Sequence, residues 1–209
     1  LVMVYLTLIN FLIVTSIFGY SFLFKKIILK DKNISVSNLD FFYGLIFLYL
    51  ISLLFHFFIP LGKISELIIV IGLFFLIYCS LKKKLNISLI KYFVVIFVFS
   101  IVAYYGRDNI DSPLYHLQIV KWLTDHKITF GLANLEWRFG VNYPWYSIVS
   151  LLNIDLSDFS NKYYISIVIF SFFFYEILDE KKIEKSKIFL SLTFSYLLIF
   201  SFIHPFNYG

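Results

Sequence analysis

The chain has little charge and almost no cysteine. Of its 209 residues, 15% are charged and only one, Cys79, is a cysteine, whereas soluble domains carry about a quarter charged residues. A single cysteine excludes a disulfide framework. The net charge of +5 does not form a nucleic-acid-binding face, because the lysines lie in short clusters between apolar blocks. We therefore expect no nucleic-acid partner.

The apolar residues, by contrast, are abundant and arranged in long blocks. The chain is 60% hydrophobic and 22% aromatic, and the blocks follow neither a helical nor a strand period, so a bilayer is the solvent they indicate. The first block lacks a basic leader and a cleavage site, which predicts a retained span. The predicted fold class is all-α, a polytopic membrane helix bundle with an extracytoplasmic loop of two interfacial amphipathic helices.

Lysine clusters set the predicted topology. Clusters at 25–32, 82–84 and 181–187 follow apolar blocks and belong on the cytoplasmic side. His56, near the outer end of the second block, is either a functional intramembrane group or an interfacial histidine that faces water. We predict four spans in 1–105, an extracytoplasmic loop in 106–160 and two spans in 161–209 that continue beyond this chain, in a multi-pass protein of the bacterial cytoplasmic (inner) membrane.

Two helices are predicted in the outer loop, at about 112–126 and 143–156. Ser112 and Pro113 form a helix start, and Gln118, Lys121 and Asp125 share one polar stripe on the helix that follows. The second helix reaches only ~21 Å at ~1.5 Å per residue, which is short of a ~30 Å hydrocarbon core. It is therefore expected to lie at the outer interface and not to cross the membrane.

Asp111 is the residue at which we place the chemistry. It comes directly before a predicted helix N-terminus, whose dipole stabilises a charged carboxylate, at the depth of the lipid headgroups. There it could meet a lipid-borne phosphate and a soluble hydroxyl, and act as a general base on that hydroxyl. The alternative is a helix cap with no further role, and Asp108 is the second candidate carboxylate.

Other residues of the loop could bind substrate. His116 falls on the apolar side of the first loop helix, where it is either bonded to a buried carbonyl or directed into a cavity between loop and spans. Arg107 and Arg138 could pair with phosphate oxygens or snorkel to lipid headgroups. Gly131 and Gly140 permit tight turns, and the aromatic residues around them suit stacking on sugar rings.

This pattern resembles a known family. An outward span, an acidic residue at its mouth, a Tyr-His pair and an amphipathic helix are similar to the first outer loop of GT-C glycosyltransferases, such as the protein mannosyltransferases and the aminoarabinose transferase of lipid A. The matching residues here are Asp111, Tyr115 and His116, followed by N-Y-P-W at 142–145. The stretches D-S-P-L-Y-H-L-Q-x-x-K-W and G-L-A-N-L-x-x-R-F-G-x-N resemble more closely a group of uncharacterised bacterial membrane proteins that look like GT-C relatives.

The resemblance spans about 98–178 and implies an integral membrane glycosyltransferase. Its donor would be a polyprenyl-phosphate sugar and its acceptor a hydroxyl of a cell-envelope glycan, lipid or protein. Asp111 would be the catalytic base. Ser112 stands where the family often has a second acid, so a divalent metal is not supported and no cofactor is expected. The residues implied in substrate binding are Tyr115, His116, Arg107, Lys121 and Arg138.

Two other functions stay open at this point. An O-antigen or exopolysaccharide polymerase would share the lipid-linked sugar and the outer loop, but its large loop normally lies nearer the C-terminus. A transporter or flippase subunit would be non-enzymatic and would require charged or broken segments at mid-membrane depth, of which the spans contain few.

Overall fold

The apolar blocks form helices. The computed structural model describes residues 2–30, 40–82, 89–105, 116–134, 136–140 and 144–154, and these are helical or irregular, without a strand. The prediction of an all-α chain is confirmed for this part of the protein. The α-helices are α1 (Val2–Ile27), α2 (Asp40–His56), α3 (Ser65–Lys82), α4 (Leu89–Tyr105), α5 (Leu117–Asp125) and α6 (Pro144–Leu151). Short 3₁₀ helices cover Leu61–Ile64, Leu132–Asn134 and Trp137–Gly140.

Two stretches have the length and composition needed to cross a bilayer. Met3–Ile27 and Leu61–Leu81 pass this test, whereas Asp40–His56 and Tyr92–Ile101 are apolar but shorter. The most apolar window of the first stretch is 78% buried and that of the second only 28%. Large apolar side chains on α3, such as Val70 and Phe74, are exposed. These features suggest a membrane protein. The two predicted spans after position 161 lie outside the described residues.

Helix α1 is the centre of the bundle. It packs against α2, α3 and α4, and Ile13, Val14 and Ile17 on it are fully buried. The Asn10 side-chain amide donates a hydrogen bond to Ser100 Oγ of α4 at 3.2 Å. Polar bonds between membrane helices contribute ~0.6 kcal/mol on average, so close packing contributes more than this bond to holding α1 in place.

The closest helix contact is between α1 and α3. A Cβ atom on Gly19 would collide with the carbonyl oxygen of Gly72, and a Cβ on Gly72 would collide with Ser16. The absence of side chains at both glycines therefore lets the two backbones touch, as small residues do at membrane helix interfaces. One turn away the Tyr20 hydroxyl donates to the carbonyl oxygen of Ile68 at 2.7 Å, which fixes the register of the two helices.

A buried ion pair joins α1 to α2. Lys25 in the last turn of α1 pairs with Asp40 in the first turn of α2, and the two side chains are 5% and 0% exposed. The charges also suit the helix ends, since a cation is favourable at a C-terminus and a carboxylate at an N-terminus. The Lys25 ammonium lies 5.8 Å from the centre of the Tyr43 ring. This pair holds the ends of α1 and α2 together.

Helix α5 is amphipathic, as its sequence predicts. Gln118, Lys121 and Asp125 are exposed and Ile119 is buried. Its described part begins at Leu117, and the predicted start at Ser112 lies outside the described residues. The helix packs on the 3₁₀ turn Leu61–Ile64 and on α6.

Helix α6 is shorter and more enclosed than predicted. It ends at Leu151, not near position 156, and Asn153 and Ile154 are irregular. Residues 146–152 are all buried, because α6 contacts α2, α5 and the 61–64 turn. Within the described residues α6 is therefore a short helix enclosed by protein, and its place at a membrane interface stays a prediction.

Candidate functional site

The C-terminal end of α2 is hydrogen-bonded to the segment 126–128 through His56. The carbonyl oxygen of His56 accepts a hydrogen bond from the N–H of Ile128 at 2.9 Å, and its Nε2 lies 3.1 Å from the carbonyl oxygen of His126. A carbonyl only accepts, so Nε2 carries the proton and donates. His56 is 9% exposed and does not face water, which rules out that alternative. It ties two points of the segment 126–128 to the end of α2.

A cavity lies beside this attachment. Its volume is about 260 Å³, and it is lined by the end of α2, by α5, by α6 and by residues 128–133, 139 and 140. The lining side chains that matter for binding are His56, Trp122, Thr129, Phe130, Phe139 and Tyr146. No Asp, Glu, Lys or Arg belongs to the lining that the described residues provide. The cavity is therefore aromatic and uncharged, with a few polar groups.

Two glycines shape the far wall. Gly131 has φ +84°, in the left-handed region that glycine adopts without strain. A Cβ atom on Gly140 would collide with the Cβ of Ala133, so the 3₁₀ turns Leu132–Asn134 and Trp137–Gly140 approach each other only because this residue is glycine. Both glycines line the cavity. The tight turns that the sequence predicts here thus form its wall.

Helices α5 and α6 are joined next to the cavity. His116 Nδ1 and the Tyr146 hydroxyl are hydrogen-bonded. The Ser150 hydroxyl donates to the carbonyl oxygen of Val120 at 3.1 Å and to that of Tyr146 at 2.8 Å. These bonds fix the start of α5 against α6, and through Tyr146 they reach the cavity lining.

The structure describes three of the six predicted site residues, and Arg107, Asp111 and Tyr115 lie outside the described residues. His116 is half-buried and is hydrogen-bonded to the Tyr146 hydroxyl.

The predicted cations Lys121 and Arg138 do not line the cavity. Lys121 is exposed on the polar stripe of α5. The Arg138 side chain is 44% exposed, with Nε 3.8 Å from Glu136 Oε1, and its guanidinium lies 5.5 Å from the centre of the Trp137 ring.

Sequence reasoning missed most of the cavity lining. No individual role is predicted from the sequence for Trp122, Phe139 or Tyr146. The signals available were the glycines and aromatic residues from 131 to 140, and His56, since a histidine at the end of an apolar block is unusual. Nothing in the sequence indicates that this residue meets a segment seventy positions later. In the part of the chain that the structure describes, no group of three or more His, Cys, Asp or Glu residues could hold a metal ion.

Comparison with known proteins gives a family. The chain belongs to the family described as "Domain of unknown function (DUF8201)", which matches residues 2–208. No curated protein and no solved structure matches the chain.

Proposed function

We propose that this member of the DUF8201 family is a multi-span glycosyltransferase of the bacterial cytoplasmic membrane. It would transfer a sugar from a polyprenyl-phosphate donor to an acceptor hydroxyl on the outer side, with Asp111 as the general base. Two features support the proposal. The first is the resemblance of 111–145 to the first outer loop of GT-C enzymes, and the second is the set of apolar helices from which this loop extends.

The observation that carries the proposal is the bond between His116 and Tyr146. His116 is the last residue of the D-S-P-L-Y-H stretch, and Tyr146 lines the cavity, so the end of this stretch is attached to the cavity wall. Asp111 precedes His116 by five residues, and extended chain covers at most ~3.6 Å per residue. The Cα atom of Asp111 is thus at most ~18 Å from that of His116, whose partner Tyr146 lines a cavity that could hold a sugar.

The proposed reaction is a single displacement. The Asp111 carboxylate takes the proton of the acceptor hydroxyl, the acceptor oxygen forms a bond to the anomeric carbon, and the bond from that carbon to the phosphate oxygen breaks. The lipid phosphate leaves with the electron pair, and the configuration at the anomeric carbon inverts. Cations stabilise the leaving phosphate. Lys121, Arg138 and Arg107 are the proposed cations, and the first two lie outside the cavity lining, so the phosphate would be bound at its edge.

Replacing Asp111 tests the proposed base. Asp111→Asn keeps the size of the side chain but removes its basicity, and loss of a general base typically lowers the rate by ~10²–10⁴-fold. The measurement is sugar transfer by the full chain in lipid vesicles that contain a panel of polyprenyl-phosphate sugars. Asp125→Asn is the matched control, because it makes the same chemical change in the same predicted loop. Asp125 is exposed on α5. Transfer by Asp111→Asn at the rate of the unchanged protein would refute the assignment.

Cysteine labelling tests the proposed topology. Cys79 is the one cysteine of the chain and is buried, so an introduced cysteine should dominate the reaction with a membrane-impermeant maleimide. In intact spheroplasts Gln118→Cys should label and Lys26→Cys should label only after permeabilisation. Both positions are exposed, which makes them comparable. Labelling in the reverse order would place the loop in the cytoplasm and exclude an outward-facing transferase.

A further inference from the structure

We infer that the cavity between α2, α5 and α6 is a binding site for one uncharged sugar ring, and that it selects against sugars that carry a carboxylate. The inference stands on the cavity itself. It goes beyond the proposed function, which concerns Asp111 and the transfer step, because a site of this kind would decide which sugar or acceptor the protein takes.

The size of the cavity suits a single ring. Pockets that enclose a whole drug-sized molecule measure ~300–1,000 Å³, and this cavity measures about 260 Å³. An extended polyprenyl chain would not fit inside it. A group of ring size, attached to a larger molecule that remains outside, would fit.

The lining combines flat apolar faces with polar groups. Trp122, Phe139 and Tyr146 come from three different segments and enclose the cavity, and aromatic rings offer faces on which the C–H side of a sugar can stack. Thr129 supplies an exposed hydroxyl, and the glycines at 131 and 140 leave backbone polar groups close to the space. A hydrocarbon chain would cover these polar groups without replacing their bonds to water, which is unfavourable. A sugar offers hydroxyls to them.

A sugar that carries a charge is disfavoured in this cavity. A carboxylate that enters an apolar space needs a cation or several donors to offset its desolvation. The described lining contains no lysine or arginine, and the Nε2 proton of His56 is already donated to the carbonyl oxygen of His126. An anionic sugar would therefore lose its hydration without gaining an ion pair from the described lining.

The site is also held in place before a ligand arrives. His56 fixes the segment 126–128 to the end of α2 through two hydrogen bonds. The pair formed by His116 and Tyr146 fixes α5 against α6. Walls that are ordered in advance reduce the entropy that a weakly binding ligand must offset.

Saturation-transfer NMR on the full chain in phosphatidylcholine nanodiscs tests the inference with three probes. Methyl β-D-glucopyranoside should receive saturation at its ring protons with millimolar affinity. Methyl β-D-glucuronide, which has the same ring with a carboxylate, should bind at least ~tenfold more weakly at neutral pH. The third probe, n-octanol, reports whether the cavity takes an alkyl chain.

Two variants of the cavity lining and one control variant connect the NMR signal to the cavity. Thr129→Trp fills it from an exposed position and should abolish the glucoside signal. Gln118→Trp adds the same side chain on the exposed face of α5 and should leave the signal unchanged. Phe139→Leu, which removes one stacking face and adds no volume, serves if the tryptophan variant fails to fold, and it should weaken binding severalfold.

The outcomes are distinct. Absence of glucoside binding, equal binding of glucoside and glucuronide, or a glucoside signal that Thr129→Trp and Phe139→Leu both leave intact would overturn the inference. Binding of n-octanol alone, lost in Thr129→Trp, would instead make the cavity a lipid-chain site and also overturn it. A protein that binds the glucoside but transfers no sugar would keep this inference and refute the proposed function.

Discussion

The bundle of α1–α4 and the described residues of the 116–154 segment are held together in different ways. In the bundle, α1 is enclosed by its neighbours, and the backbones of α1 and α3 touch at Gly19 and Gly72. In the 116–154 segment, hydrogen bonds at His56, His116 and Ser150 join short pieces of chain, and a cavity lies between them. The candidate site therefore lies where hydrogen bonds join short pieces of chain, and not along the contacts of the long helices.

The largest effect is expected from breaking the ion pair of the bundle. Lys25→Met leaves the Asp40 carboxylate buried without its cation, and loss of one partner of a buried pair costs ~3–5 kcal/mol. Unfolding of the detergent-solubilised protein by denaturant should show this loss. Lys26→Met is the matched control, because Lys26 is exposed on the same helix turn, and it should change stability by less than ~0.5 kcal/mol.

The double variant Lys25→Met with Asp40→Leu sharpens the result. Replacing both charges by apolar groups is often neutral or stabilising, so it should recover most of the lost free energy of unfolding. If Lys25→Met is as stable as Lys26→Met, the ion pair does not hold α1 and α2 together. The bundle would then not differ from the 116–154 segment in the way proposed.

A smaller and more local effect is expected in the 116–154 segment. His56→Phe keeps an aromatic ring but removes the side-chain bond to the carbonyl oxygen of His126, and a bond of this kind contributes ~0.5–1.5 kcal/mol. Hydrogen exchange should show faster exchange around Ile128, while amides in α1 keep their protection. Global unfolding should change little.

The neighbouring histidine provides the control. His126→Phe leaves the backbone carbonyl in place and keeps the ring contact with Trp122, whose centre lies 4.7 Å from that of His126. It should therefore leave exchange at Ile128 unchanged. Equal acceleration in both variants would mean that His56 is not the point of attachment, and uniform acceleration through α1 would mean that the two regions unfold as one.

Much of the helical fold follows from the sequence, and the parts that do not follow have a common cause. The apolar blocks before position 105 coincide with α1 to α4, because a long run of apolar residues forms a helix without depending on distant parts of the chain. The polar stripe of α5 is visible for the same reason, since three exposed residues at helical spacing are a local pattern. The helix was predicted to extend beyond Leu151 because Leu152 and Ile154 continue the apolar composition, but they do not continue the helix.

The candidate site also has a part that the sequence predicts and a part that it does not. His116 and the aromatic stretch after Gly131 are recognisable as unusual in the sequence, and the resemblance draws attention to them. The partner of His116 is not recognisable, because a tyrosine thirty residues away on a different helix has no local signal that marks it.

The sequence by itself determined the helical character of the described chain, the apolar surfaces that suggest a membrane, and the polar face of α5, because these depend on neighbours within a few residues. Only the tertiary structure decided that His56 binds the segment 126–128, that α6 is enclosed, and that an uncharged cavity forms among α2, α5 and α6. Those features depend on contacts between residues thirty or more positions apart, and such contacts are set by how the helices pack.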